Sequence, residues 1–140
     1  MPKYDVFLSY AHGKDDMYIP LAKRIHQILE EAGLTVWLDV YDMKGDETKS
    51  MDNGIRNSRI FLALISPDYM KSYDCNYEFS KALDKKPMIL CSIKSKTYYT
   101  SEFKFLHSNN PDKIKLPIRI LLKEATLNND IAKLLSILKP

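Results

Sequence analysis

The sequence predicts an α/β protein in which helices cover both faces of an open, parallel sheet of five strands. Short segments rich in β-forming residues alternate along the chain with segments that have the apolar spacing of amphipathic helices. Such alternation is typical of successive strand–helix–strand units, whose right-handed crossovers produce a parallel sheet. The segment Ile60 to Ile65 is apolar at every position, as expected of a central strand buried on both faces.

The first predicted strand is Tyr4 to Leu8, and a polar loop from Ser9 to Asp16 follows it. The two aspartates that end this loop have side-chain oxygens suited to capping a helix. Apolar residues then recur on one helical face over Met17 to Ala32. Pro20 is compatible with this helix only in its first turn, and Gly33 is a suitable C-terminal stop.

A second strand is predicted over Leu34 to Leu38, because this segment is rich in β-forming residues. The polar segment Asp39 to Glu47 then predicts an exposed loop. A short helix follows over Thr48 to Asn57, although Gly54 lowers its helical propensity. The third strand, Arg59 to Ile65, contains the fully apolar segment and is placed at the centre of the sheet.

The loop Ser66 to Asp74 leads into a helix that runs through Leu83, and either Ser72 or Asp74 can cap it. The apolar run Met88 to Ile93 predicts the fourth strand. These two elements continue the alternation of the first half of the chain.

The last third of the chain predicts one more strand and one more helix. The polar stretch Lys94 to Lys115 has no clear periodicity, and a fifth strand is predicted within Leu116 to Leu122. The final amphipathic helix is predicted over Asn128 to Leu138, with Asn129 or Asp130 as its cap. Five strands in a sheet of this type usually take the order 2-1-3-4-5.

Length and composition predict a single domain over residues 1–140, large enough to fold around its own core. The net charge of +3 is small and the lysines are scattered, so we expect no nucleic-acid binding. Cys75 and Cys91 do not form a disulfide framework, and His26 and His107 lack companions at metal-ligand spacing, so no metal is expected. No segment has the pattern of a signal peptide or of a membrane span, and a cytoplasmic location is expected.

The strand order 2-1-3-4-5 reverses its direction between the first and third strands, and ligands of such sheets bind at this switch point. Three segments should meet there: Ser9 to Asp16, Ser66 to Asp74 and Asp39 to Glu47. Glu78 lies early in the helix that follows the second of these. We therefore predict that its carboxyl group faces a ligand crevice. The alternative is a solvated glutamate that only complements the helix dipole.

The motifs of the chain, taken in order, resemble those of the TIR (Toll/interleukin-1 receptor) domain family. Tyr4 to Tyr10 is similar to the family's first box, and Val36 to Asp39 with Gly45 is similar to its second strand and BB loop. The family's central pattern is matched in order by Gly54-Ile55, Ser58-Arg59, Ser66, Tyr69, Ser72, Cys75 and Glu78. The resemblance covers residues 4 to about 93.

This resemblance implies a flavodoxin-like fold and one of two roles. Some TIR domains cleave NAD at the nicotinamide–ribose bond, releasing nicotinamide with ADP-ribose or a cyclic ADP-ribose in immune or antiviral signalling. Others are non-catalytic adaptors that signal by associating with further TIR domains. We expect the first role, with NAD as a substrate and no cofactor, and self-association through the BB loop (Asp39 to Glu47).

The NAD-cleaving members use a glutamate at the position of Glu78, and the chemistry favours a carboxylate there. Departure of nicotinamide leaves positive charge on the ribose, which an ionised carboxylate stabilises. The dipole near a helix N-terminus also favours the ionised form, by about 0.3–1 kcal/mol.

The resemblance implies further substrate contacts, each with a structural alternative. Trp37 would lie against the nicotinamide or be a half-buried residue of an edge strand, while Ser9 and Tyr10 would contact substrate or form loop hydrogen bonds. We expect His12 to be an exposed loop residue rather than an acid or base, and Cys75 to be structural rather than nucleophilic. The predicted substrate-binding residues are Ser9, Tyr10, Trp37, Asp39, Lys44, Ser72 and Cys75.

Overall fold

The computed structural model of the chain describes residues 3–69, 71–83, 85–92, 119–121 and 127–138. The strands in these residues are β1 (Tyr4–Tyr10), β2 (Val36–Trp37), β3 (Ser58–Ile65), β4 (Met88–Ser92) and β5 (Arg119–Leu121). The helices are α1 (Ile19–Glu31), α2 (Asp39–Asp42), α3 (Glu47–Arg56), α4 (Tyr73–Ala82) and α5 (Leu127–Leu138). The strands form one parallel sheet in the order β2-β1-β3-β4-β5, as the sequence predicts.

Successive side chains of the strands point to opposite faces of the sheet and build two apolar cores. On one face, Val6 and Leu8 pack with buried residues of α1 and α5. On the other face, Phe7 and Phe61 pack with buried residues of α3 and α4. Helices therefore cover both faces, and β3 is buried along its length except at Arg59.

β1 is longer than predicted and ends at Tyr10 instead of Leu8. Ser9 pairs with Ala63 and Tyr10 pairs with Leu64, so both belong to the sheet and not to a loop. The long neighbouring strand β3 supplies the backbone partners that extend β1 into these polar residues. Alternation places the side chain of Ser9 on the same face as Phe7, toward α3 and α4.

The aspartates at the end of the following loop do not cap α1, contrary to the prediction. Asp15 and Asp16 lie in a one-turn 3-10 helix with φ angles of 53° and 55°, and α1 begins only at Ile19. Pro20 lies in the first turn of α1, as predicted, because the N–H that proline lacks would have no helical partner there. Gly33 follows the helix with a φ of 92°, which glycine adopts without strain.

The segment Asp39 to Glu47 was predicted to be a loop, but it is helical at both of its ends. Local hydrogen bonds to the side chains of two aspartates stabilise these helical turns. At the start, Asp42 Oδ2 accepts a 2.8 Å hydrogen bond from the backbone N–H of Leu38 and closes α2. At the end, the side chain of Asp46 accepts a 2.9 Å hydrogen bond from Lys49 N and caps α3.

The edge strand β2 is shorter than the predicted strand Leu34 to Leu38, and its Trp37 is fixed by close packing against α3. At Gly54 of α3, an added Cβ would lie only 2.7 Å from Cε2 of Trp37. The glycine that lowers the helical propensity of α3 is thus required for this contact.

The C-terminal part of the fold contains the predicted strand and the predicted helix. α5 begins at Leu127, one residue before the predicted start, so Asn129 and Asp130 lie within its first turn and not before it. β5 falls inside the predicted segment Leu116 to Leu122, whereas the stretch Lys94 to Lys115 lies outside the described residues. None of the helices described is both long and apolar enough to cross a membrane.

Candidate active site

A crevice of about 530 Å³ opens at the carboxyl ends of β1 and β3. Three separate segments form its wall: the end of β1 with its following loop, α2 with the turn after it and the first half of α3, and the start of α4 with the loop before it. The prediction that these segments meet at the switch point is confirmed. The polar and titratable side chains of this wall include those of Tyr10, His12, Asp39, Glu47, Asp68, Lys71, Ser72, Asp74, Cys75 and Glu78.

Glu78 lies on the buried stripe of α4 and not on its solvated face. It shares this stripe with Cys75, Phe79 and Ala82, which follow the helical spacing of a face that packs on the sheet. Only 7% of Glu78 is exposed, and that part borders the crevice. The alternative of a solvated glutamate is therefore wrong, and the carboxyl group faces the crevice as predicted.

The carboxyl group of Glu78 is held from the sheet side by two hydroxyl groups in series. Ser9 Oγ donates a 3.2 Å hydrogen bond to Glu78 Oε1 and lies 2.8 Å from the hydroxyl oxygen of Tyr69. Ser9 is 1% exposed, so it has almost no surface to offer a substrate. In the structure its hydroxyl group contacts the carboxyl group itself, and the contact with a substrate stays a prediction.

Burial raises the pKa of Glu78 to about 8. The hydrogen bond from Ser9 acts in the opposite direction and lowers this pKa, whereas the negative charges of Asp39 and Asp74 raise it further. Burial thus opposes the ionised carboxylate that the helix dipole favours, because the loss of hydration outweighs the dipole in the free protein. Glu78 lies in the second turn of α4, beyond the first turn where the dipole is strongest.

Asp39 connects two residues from the end of β1 across the mouth of the crevice. The hydroxyl of Tyr10 donates a 2.9 Å hydrogen bond to Asp39 Oδ1, and His12 Nε2 lies 2.5 Å from Asp39 Oδ2. His12 is partly exposed, as predicted, but it borders the crevice and is bonded to Asp39. The sequence gives no signal for this pairing, because 27 residues separate the two partners.

Two predicted substrate contacts do not line the crevice. Trp37 is 3% exposed and stacks on Phe7 with their ring centroids 4.4 Å apart. Together with Lys44 it borders a different hollow of about 370 Å³, which is also lined by Asn53 and Gly54 of α3. Trp37 belongs to the edge strand, as its structural alternative proposed, but it is buried rather than half-buried.

Ser72 and Cys75 both border the crevice at the start of α4. The side chain of Ser72 caps the helix, as predicted, by accepting a 3.2 Å hydrogen bond from Cys75 N. Burial raises the pKa of the Cys75 thiol to about 12. A thiol that stays protonated is a poor nucleophile, which agrees with a structural role for Cys75.

The wall of the crevice carries an excess of acidic groups. Within the part of the chain that the structure describes, five carboxyl groups border it, namely those of Asp39, Glu47, Asp68, Asp74 and Glu78. Among the described wall residues, Lys71 is the one lysine. Such a wall suits a ligand with a cationic end near the carboxyl groups and an anionic part near Lys71. Sequence reasoning did not select Lys71 or Asp68, although both lie in the loop that it placed at the switch point.

Comparison with known proteins places these residues in a defined family. Residues 6–116 match the family model described as the TIR domain. The chain is 38% identical over 80 residues to a 2′ cyclic ADP-D-ribose synthase of Acinetobacter baumannii, covering 55% of this chain and 28% of that protein. It is 34% identical over 86 residues to an NAD(+) hydrolase of Staphylococcus aureus, covering 60% of this chain and 30% of that protein. The chain thus spans less than a third of the length of either relative.

Solved structures share the fold at low sequence identity. The TIR domain of a Toll-related receptor from Hydra magnipapillata superposes with a TM-score of 0.72 at 17% identity, covering 99% of this chain and all of that one. The TIR domains of the activated Roq1 resistosome give a TM-score of 0.60 at 21% identity, over 79% of this chain and 74% of that one. These likenesses show a common α/β architecture.

Proposed function

The chain belongs to the TIR domain family, and we propose that it cleaves NAD between nicotinamide and ribose, with Glu78 as the essential carboxylate. The observation that carries this proposal is the position of Glu78, buried in the wall of a crevice at the carboxyl ends of β1 and β3. The relatives named as a 2′ cyclic ADP-D-ribose synthase and an NAD(+) hydrolase support the same reaction class.

The reaction requires a negative charge beside the ribose more than it requires an acid. When the bond between the ribose carbon and the nicotinamide nitrogen breaks, both electrons go to the nitrogen and nicotinamide leaves as a neutral molecule. Positive charge then develops on the ribose, and an ionised carboxylate close to the ring stabilises it. Water adds to the ribose carbon and loses a proton to give ADP-ribose, or a group of the adenosine adds instead and gives a cyclic product.

Glu78 reaches its ionised form when the substrate binds. In the free protein, burial keeps its pKa at about 8. The nicotinamide ring of NAD is cationic, and a positive charge close to a carboxyl group favours ionisation. Binding of NAD therefore promotes the release of the Glu78 proton, and the neighbouring carboxyl groups of Asp39 and Asp74 attract the same cationic ring.

Lys71 has the charge that the other end of the substrate needs. The pyrophosphate of NAD is anionic, and the crevice wall is otherwise dominated by carboxyl groups. A lysine on the loop before α4 offsets the repulsion between these carboxyl groups and the phosphates. We place the pyrophosphate on this side and the nicotinamide toward Glu78 and Asp39.

Release of nicotinamide from NAD by the purified protein is the direct test. We expect chromatography to detect free nicotinamide with the wild type and none above background with Glu78→Gln. Glu31→Gln removes a carboxylate from the exposed surface of α1 and is the matched control, which should retain activity. Mass spectrometry of the second product separates ADP-ribose from cyclic isomers.

A non-catalytic adaptor is the second candidate, and one observation favours it. Val40 and Tyr41 of α2 are 39% and 52% exposed, within the segment that resembles the BB loop. Exposed apolar side chains on such a loop are suited to contact with another TIR domain. Absence of nicotinamide release at high protein concentration, with a folded wild type, would support the adaptor. Release that depends on Glu78 would support the enzyme.

A further inference from the structure

A chain of three side chains connects the catalytic carboxyl group with the interior of the fold. The hydroxyl oxygen of Tyr69 lies 2.8 Å from Ser9 Oγ, which lies 3.2 Å from Glu78 Oε1. Tyr69 is fully enclosed and belongs to the loop after β3, while Ser9 lies near the end of β1 and Glu78 lies on α4. The chain therefore crosses the switch point of the sheet behind the crevice.

The backbone of Tyr69 is itself fixed at the end of β3. Its N–H donates to the carbonyl oxygen of Ser66 at 3.1 Å and lies 3.2 Å from Ser66 Oγ. Ser66 is also buried. These contacts fix the backbone of Tyr69, and burial of its side chain leaves the ring little room to move.

The number of available protons fixes the direction of these hydrogen bonds. A serine hydroxyl has a single proton, so Ser9 can donate to ionised Glu78 only if its bond with Tyr69 is donated by the tyrosine. Burial raises the pKa of Tyr69 well above its ordinary value, so the tyrosine keeps its proton. With Glu78 ionised, Tyr69 therefore donates to Ser9, and Ser9 donates to Glu78.

We propose that Tyr69 is a positioning residue for Glu78: its hydroxyl group occupies a lone pair of Ser9 and directs the Ser9 proton to Glu78 Oε1. The proposal rests on the proposed function of Glu78. Ser9 lies between Tyr69 and Glu78, and Tyr69 does not border the crevice. Tyr69 therefore acts through Ser9 and not on the substrate.

The hydrogen bond from Ser9 to Glu78 opposes the effects of the other groups on the pKa of Glu78. Asp39 from α2 and Asp74 from α4 raise the pKa of Glu78, as burial does, and the Ser9 hydrogen bond lowers it. Among the residues described, the remaining charged or titratable groups that border the same crevice are Tyr10, His12, Glu47, Asp68, Lys71 and Cys75. Weakening the bond from Ser9 should therefore leave the carboxyl group protonated to a higher pH.

Tyr69→Phe tests the proposal, because it removes the hydroxyl group and keeps the ring. Tyr77→Phe is the matched control. It also removes a tyrosine hydroxyl of this region that is bonded to a carboxylate, but its partner is Asp52, away from the crevice. Two readouts are needed: the pH profile of kcat/KM for NAD cleavage, and the carboxyl titration of Glu78 followed by carbon-13 NMR without NAD.

We expect Tyr69→Phe to move both midpoints upward by about one pH unit, the size expected for a weakened hydrogen bond to a charged group. Activity at pH 7 should then fall roughly tenfold, while the plateau at high pH changes little. Tyr77→Phe should leave both midpoints in place. In a Ser9→Ala background, Tyr69→Phe should add no further shift, because its effect passes through Ser9.

The results separate failure of the positioning role of Tyr69 from failure of the proposed NAD cleavage. An unshifted Glu78 midpoint in folded Tyr69→Phe overturns the positioning role. If Tyr69→Phe does not fold, an unshifted midpoint in Ser9→Ala overturns it instead. If the wild type releases no nicotinamide, the proposed function fails, but the NMR titration still decides whether Tyr69 orients Ser9 toward Glu78.

Discussion

The hydroxyl group of Tyr10 donates a 2.9 Å hydrogen bond to Oδ1 of Asp39 and joins the end of β1 to the start of α2 at the mouth of the crevice. His12 contacts the other oxygen of the same carboxylate. Asp39 is thereby held in a fixed position, from which its negative charge raises the pKa of Glu78. The two acidic residues are therefore coupled electrostatically.

Asp39→Asn should lower the pH at which Glu78 ionises. The amide keeps an acceptor for Tyr10 but removes the negative charge that opposes ionisation of Glu78. We expect the acid limb of kcat/KM to move downward by roughly half a unit to one pH unit. This is opposite in sign to the effect expected for Tyr69→Phe. Asp52→Asn is the control, and an upward or absent shift in Asp39→Asn would contradict the coupling.

The pH profile of the wild type should reflect the raised pKa of Glu78. Since kcat/KM reports the free enzyme, we expect it to rise about tenfold per pH unit below the midpoint and to level off above it. The midpoint should lie near the Glu78 pKa of about 8. The acid limb of kcat should lie at lower pH, because the cationic nicotinamide favours ionised Glu78 in the complex. Coincident limbs would show that substrate does not promote ionisation.

Glu78→Gln should stabilise the protein as pH rises. The pKa of Glu78 is about 8 in the folded state, against an ordinary value of 4.5, so the folded state binds the proton more tightly. Between these pH values, ionisation favours the unfolded chain, and wild-type stability falls by about 1.4 kcal/mol per pH unit from this group. The loss begins above pH 4.5 and is complete above pH 8.

Urea unfolding at several pH values measures this difference. The free energy of unfolding of Glu78→Gln should be close to that of the wild type at pH 5 and exceed it increasingly toward pH 8. Glu31→Gln, on the exposed side of α1, should follow the wild type. A constant difference across the range would mean that Glu78 is not protonated in the folded protein.

Gly54→Ala should destabilise the protein although alanine is the better helix former. An added Cβ would lie 2.7 Å from Trp37 Cε2 and 2.9 Å from Phe7 Cε2, and both rings are buried. We expect a loss of about 1–3 kcal/mol in the free energy of unfolding, as for other overpacked cores. Thr48→Ala is the control at an exposed position of α3 and should change stability by only a few tenths of a kcal/mol. Equal stability of the wild type and Gly54→Ala would show that β2 and α3 can separate.

Activity per molecule should rise with protein concentration if the exposed segment of α2 supports self-association. Tyr41→Ser removes its most exposed large side chain and should flatten this dependence. Tyr73→Ser changes a tyrosine that is 82% exposed on α4 and should preserve it. Sedimentation at the same concentrations measures association directly. A flat response in the wild type would exclude this role for α2 in activity.

The sequence by itself determined the architecture and the place of the site. Apolar periodicity separates strands from helices, and the fully apolar segment Ile60 to Ile65 identifies a strand that only two covered faces can accommodate. Parallel topology then brings the ends of the first and third strands together, and with them the helix that carries Glu78. These features follow from local pattern and chain connectivity, so one sequence is sufficient to predict them.

Only the tertiary structure decided which groups meet at that place and in which protonation state. Ser9 and Glu78 are 69 residues apart, and His12 and Asp39 are 27 residues apart, so no local pattern connects either pair. The ring of Trp37 stacks on Phe7 in the core, because Gly54 of α3 has no side chain and leaves room for the ring. The pKa of Glu78 depends on the loss of water and on charges from other elements, and both exist only once the chain is packed.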